Sequence, residues 1–166
     1  MLPAVEIEQA LEIARTMARS GIPVFVAPPD PQAPTGFALP RGWQNTTPDP
    51  AVVDLWRPGM ALCAVMGCGL DLIDVDPRSG GSIERLVSEL GGWDKMPRVY
   101  GTSRTPSGGT HYFIASMGVG SLDGVVQGVD IKGGMPDGSS RGFAFIPPTV
   151  RTSKTTGQAT SYGWAE

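Results

Sequence analysis

The segment Leu70-Asp71-Leu72-Ile73-Asp74-Val75-Asp76-Pro77 has the apolar pattern of a strand yet carries carboxylates within it. Side chains alternate along a strand, so Asp74 and Asp76 share one face while Ile73 and Val75 share the other. Like charges about 4 Å apart repel by roughly 4 kcal/mol at an effective dielectric near 20. The pair therefore needs a shared proton, a bound cation, or the solvation of a strand end where the chain leaves at Pro77. On this segment alone a metal site and a solvated strand end are equally good readings, because short Asp-x-Asp matches recur by chance. Asp71 has the other parity and is excluded from the metal face.

Two further stretches add chemistry. In Gly128-Val129-Asp130-Ile131-Lys132-Gly133-Gly134 a third acid sits in strand context, with Asp130 and Lys132 on one face. The only histidine, His111, follows the run Arg104-Thr105-Pro106-Ser107-Gly108-Gly109-Thr110. Pro-Ser-Gly-Gly is turn chemistry, and the residues after it read as a strand with Phe113 on the face of His111 and Tyr112 and Ile114 opposite. A histidine at a strand start is commonly hydrogen-bonded scaffolding. Here the glycine turn, with its backbone N–H groups, and the neighbouring Arg104 also compose an anion cradle, so both readings stand. Cys63 and Cys68 with one histidine make neither a disulfide framework nor an easy four-ligand zinc site, and read as reduced, packed thiols.

The elements that must position these groups follow from periodicity. Ile7, Leu11, Ala14 and Ala18 recur at helical spacing between Pro3 and Gly21. Residues 22–27 read as a strand, followed by a Pro- and Gly-rich loop to about Thr47 containing Phe37, Arg41, Trp43 and Gln44. That loop either borders a substrate channel or is pinned by Trp43 against the core, the commoner role for a tryptophan. Thr47 or Asp49 caps a short helix over residues 52–56. Residues 61–66 form an inner strand, expected to pair with the carboxylate strand as a hairpin through Gly67–Gly69. A helix over Ile83, Leu86, Val87 and Leu90, strands from Arg98 and Thr110, and a last apolar strand Phe143-Ala144-Phe145-Ile146 complete the list. The tail adds Arg151 and Lys154.

At 166 residues the chain suits a single domain covering 1–166, and 40% hydrophobic residues are enough for a real core. The 23 glycines and 16 prolines fall between periodic segments and signal many turns. A net charge of -3 argues against tight nucleic-acid binding through bulk charge. No run reaches membrane-spanning length and the N-terminus lacks the form of a signal peptide, so the expectation is no membrane and a cytoplasmic location.

Together, Asp74-x-Asp76, Ser107-Gly-Gly-x-His111 and Val129-Asp130-Ile131-Lys132 resemble the three motifs of the archaeo-eukaryotic primase superfamily. The nearest likeness is to the bifunctional primase-polymerase domains at the N-terminus of phage and plasmid replication proteins. Gly42-Trp43-Gln44-Asn45-Thr46-Thr47, Gly80-Gly81, the Arg104–Gly109 run, Pro147-Pro148 and Tyr162-x-Trp164 extend it over about residues 41–164. The resemblance implies an α+β catalytic core with an RNA-recognition-motif-like antiparallel sheet and a helical N-terminal part, carried as the N-terminal piece of a longer protein.

By the same resemblance Asp74, Asp76 and Asp130 are the catalytic, metal-binding acids, and His111 contacts the phosphates of an incoming nucleotide. Two divalent ions, Mg²⁺ or Mn²⁺, suit such oxygen ligands. Arg104, Ser107, Gly108, Gly109 and Lys132 are candidates for the remaining phosphate contacts, with Lys132 alternatively a counter-ion to Asp130. The implied function is DNA-templated nucleotidyl transfer, primase and polymerase, on single-stranded or primed DNA with dNTP or NTP substrates, alongside a helicase domain or partner. Extension of a primer is a safer expectation than priming. The alternatives are a metal-dependent phosphodiesterase or nuclease, and a non-catalytic nucleotide- or nucleic-acid-binding module.

Overall fold

The computed structural model describes residues 2–153 and 156–166, so Lys154 lies outside the described residues. Helix α1 (Ala4–Arg19) follows Pro3 and buries Ala10, Leu11, Ala14 and Ala18 along one face. Strand β1 (Val24–Ala27) leads through a long loop to a 3₁₀ turn, Pro50–Leu55, which Asp49 caps by accepting from the Ala51 N–H at 2.9 Å. Strands β2 (Ala61–Val65) and β3 (Leu70–Val75) come next. Helix α2 (Ile83–Leu90) is capped by the Ser82 hydroxyl and ends at Gly91 in the left-handed conformation. The remainder is β4 (Val99–Arg104), β5 (Thr110–Ala115), β6 (Leu122–Val126), β7 (Val129–Lys132), β8 (Phe143–Ile146), β9 (Val150–Thr152), β10 (Ala159–Ser161) and β11 (Gly163–Trp164).

The strands form antiparallel sheets, giving the α+β architecture expected of the primase-polymerase core. A six-stranded sheet has the order β11-β4-β5-β3-β7-β6, a three-stranded sheet the order β1-β2-β8, and β9 pairs with β10. The expected β2–β3 hairpin does not form. β2 pairs with β1 and β8, whereas β3 pairs with β5 and β7 in the other sheet. Gly67 explains the divergence: it has a positive φ of 88° and runs directly against the backbone of Gly133 and Gly134. The Gly67 N–H donates to the Leu70 carbonyl at 2.7 Å, and across this tight turn the chain passes from one sheet to the next.

Parity then sorts the core. Ile73, Val75, Ile114, Val129 and Ile131 pack with Ile83, Leu86 and Val87 of α2 on one face of the large sheet. On the other face Leu72 and Phe113 meet Leu62, Ala64 and Ile146 of the small sheet and Leu11 and Ala14 of α1. Phe25, Cys63 and Phe145 line the other face of the small sheet, where Trp43 packs on Phe143 with ring centroids 5.1 Å apart. Cys63 is a buried free thiol, pushed up in pKa by desolvation, as expected for packing rather than reactivity.

Candidate active site

The carboxylate strand β3 lies inside the large sheet, between β5 and β7. Asp74 is aligned directly with His111 of β5 on one side and Asp130 of β7 on the other. Directly opposed antiparallel residues share a face with Cα atoms about 4.5–5.5 Å apart, so these three groups form a row across the sheet. Asp74 and His111 of this row open on a cavity of about 390 Å³, whose lining does not include Asp130. Asp74, His111, Lys132, Arg141, Arg151 and Tyr162 line it. Lys132 is in register with Leu72, which places it on the same face one step along.

Each group is held differently. Asp74 Oδ1 stands 3.6 Å from His111 Nε2, with the imidazole nearly enclosed and the carboxylate about one-third exposed. Asp130 Oδ1 accepts from the Gly124 N–H at 2.7 Å. Lys132 Nζ donates to Asp123 Oδ1 at 2.8 Å, so its counter-ion is Asp123 and not Asp130. That contact holds the Asp123 carboxyl below its usual range. Arg141 donates through Nη1 to the Gln44 carbonyl, while its Nε is buried without a partner. Arg151 lies over the Phe145 ring at 4.9 Å and donates to the Thr35 carbonyl. Tyr162 is buried beside His111, and desolvation pushes its hydroxyl up despite the Arg151 guanidinium.

Asp76 is placed otherwise. It caps the 3₁₀ turn Pro77–Ser79, accepting from the Arg78 N–H at 2.9 Å, from Arg78 Nε at 3.2 Å and from the Ser79 hydroxyl. Partial burial opposes its ionisation, but the Arg78 contacts prevail and hold its carboxyl below the usual range. The strand pair is thus relieved of repulsion partly by a neighbouring arginine. Its backbone is pinned as well: the Asp76 N–H donates to the Gly128 carbonyl, and the Asp76 carbonyl accepts from the Gly81 N–H. Gly81 and Gly128 cross so closely that a Cβ on either would collide with the other's backbone.

The Arg104–Gly109 segment, expected as an anion cradle, is bonded largely within itself. Arg104 aligns with Thr110 and Val75, on the α2 side of the sheet, opposite in parity to His111. The Gly108 N–H donates to the Thr105 carbonyl and the Gly109 N–H to the Thr105 hydroxyl, so both amides are used within the turn. The Ser107 and Thr105 hydroxyls are 3.1 Å apart. Among the described residues, the cations that reach the cavity with Lys132 are Arg141 and Arg151. Their position depends on how the small sheet and its loops are laid over the large one, and no local spacing announces it.

Among the described residues no group of three or more His, Cys, Asp or Glu side chains stands ready as a metal cluster. The donor chemistry nevertheless fits a hard divalent cation at Asp74 and Asp130: two opposed carboxylates on one face, neither bonded to an arginine or lysine. Asp76 would join only by releasing Arg78. Asp71, by contrast, is fully buried on the other face and accepts from the Ser116 hydroxyl at 3.1 Å and the Met117 N–H at 2.9 Å.

Residues 14–166 match the family model described as bifunctional DNA primase/polymerase, N-terminal. No curated protein matches the chain.

Proposed function

The chain belongs to the family of bifunctional DNA primase/polymerase N-terminal domains, and from that premise we propose that its cavity is a nucleotidyl-transfer site extending a primer on a DNA template. One observation carries the reading: Asp74 lies directly between His111 and Asp130, on the face that looks into a cavity lined by Lys132, Arg141 and Arg151. A carboxylate beside cationic side chains in one cavity suits a triphosphate with its reacting phosphorus towards Asp74.

In this reading the cationic side chains and His111 Nε2 bind and orient the triphosphate oxygens. Aligning a primer 3′-hydroxyl with the α-phosphorus is an entropic contribution of the cleft. Asp74 and Asp130, with Asp76 once freed from Arg78, would hold Mg²⁺ or Mn²⁺. Such ions, when bound, lower the pKa of the attacking hydroxyl and neutralise the leaving pyrophosphate. Trp43, Phe143 and Phe145 form an apolar wall that limits water at the reacting centre.

Incorporation of labelled dNTP or NTP on a primed template, with Mg²⁺ or Mn²⁺, tests the proposal. Asp74→Ala and Asp130→Asn should each lower incorporation by roughly 100-fold or more, the scale of losing an electrostatic contact at the reacting centre. Undiminished incorporation by either variant would sink the assignment. Metal-dependent loss of nucleic acid without nucleotide consumption would instead mark a phosphodiesterase.

A further inference from the structure

The row of residues across the large sheet continues beyond the acids. Ser103 of β4 is in register with His111, and Trp164 of β11 is in register with Ser103. Trp164, Ser103, His111, Asp74 and Asp130 therefore occupy successive strands of one face. Ser103 is fully buried. Its Oγ, the Nδ1 of His111 and the Nε1 of Trp164 are all buried side-chain polar atoms without a hydrogen-bond partner. Three such atoms on adjacent positions are costly apart and complementary together.

Their donor and acceptor capacities set a direction. His111 Nε2 is turned towards the Asp74 carboxylate at 3.6 Å, a geometry that favours a hydrogen on Nε2 and would leave Nδ1 as an acceptor. As placed, Ser103 Oγ bonds to neither ring; directly opposed side chains have Cβ atoms about 4.5–5.5 Å apart, a separation that a change of χ1 at Ser103 can bridge. The indole Nε1 of Trp164 can only donate, which suits the lone pairs of the same hydroxyl.

We propose that Ser103 is a positioning residue: its hydroxyl donates to His111 Nδ1 and holds the imidazole as the Nε2–H tautomer, hydrogen directed at Asp74 and the bound phosphates. Removing the hydroxyl leaves Nδ1 buried and unsatisfied, so the Nδ1–H tautomer and other ring orientations gain population. The consequence for nucleotide binding rests on the nucleotidyl-transfer reading, whereas the tautomer itself does not.

The sole histidine makes the test direct. In ¹⁵N-histidine-labelled protein at pH 8.5, the two ring-nitrogen shifts of wild type should report the Nε2–H tautomer. Ser103→Ala should move the tautomer ratio towards Nδ1–H by about fivefold, the scale of one net hydrogen bond. Ser103→Thr, which keeps the hydroxyl, should restore it. Thermal unfolding provides a second arm: loss of a bonded hydroxyl lowers the melting temperature of Ser103→Ala, whereas loss of an unpartnered one leaves it equal or raised. In nucleotide incorporation the alanine variant should raise the nucleotide KM about fivefold, reversed by threonine. Unchanged ring shifts in Ser103→Ala with equal or greater stability would overturn the proposal. A shifted tautomer in a protein that incorporates no nucleotide would support the Ser103 contact and count against the transferase reading alone.

Discussion

Asp71 and Asp74 lie three residues apart on β3, and the sheet gives them opposite tasks. Asp74 opens to the cavity, whereas Asp71 is sealed beneath the segment after β5 and tied to Ser116 and Met117. Burial pushes the Asp71 carboxyl up, against the pull of those hydrogen bonds. A raised folded pKa means that the fold binds this proton more tightly than the unfolded chain does. The resulting stability is full below the ordinary aspartate pKa of about 3.9 and is lost as pH rises through the higher folded value. Relative to Asp71→Asn, wild type should therefore lose stability across that window, measured by urea unfolding at a series of pH values. A difference between the two proteins that does not vary with pH would contradict this account.

At the scale of elements, the Gly81–Gly128 crossing fixes where the end of β3 meets the β6–β7 turn, and so where Asp76 sits relative to Asp130. Gly128 also has φ of 70°. Gly128→Ala combines a backbone collision with a left-handed conformation, and should cost roughly 2 kcal/mol in urea unfolding while reducing incorporation. Wild-type stability in this variant would mean that the crossing relaxes freely. Local pattern made α1, α2 and the strands bearing Asp74, His111 and Asp130 legible, because period and turn residues act over a few positions. The parity that groups Asp74 with Asp76 and Asp130 with Lys132 was equally readable. Pairing was not: β2 is apolar on both faces and ends in glycines, so nothing local distinguishes a hairpin from a crossing to another sheet. The same blindness hid Arg141 and Arg151 and made Arg104 look closer to His111 than the register allows.

For the whole molecule, charge is distributed against its total. A net charge of -3 surrounds a cavity carrying Lys132, Arg141 and Arg151. In the proposed site nucleotides would be recognised locally, with weak long-range attraction of template. Fluorescence anisotropy with single-stranded DNA should give a Kd weaker than about 10 µM near 0.15 M salt, at the loose end of non-specific binding. Tighter binding would require a basic surface beyond the cavity. The sheet order carries one more consequence. Asp74 belongs to a strand hydrogen-bonded on both sides, whereas Arg141 sits in a loop and Arg151 on a two-stranded ribbon. Amide protons of β3 should exchange with solvent last and those around the two arginines early. In the proposed site the acids would then act as an anvil that does not yield, and fitting one nucleotide or another would fall to the loops that carry the arginines.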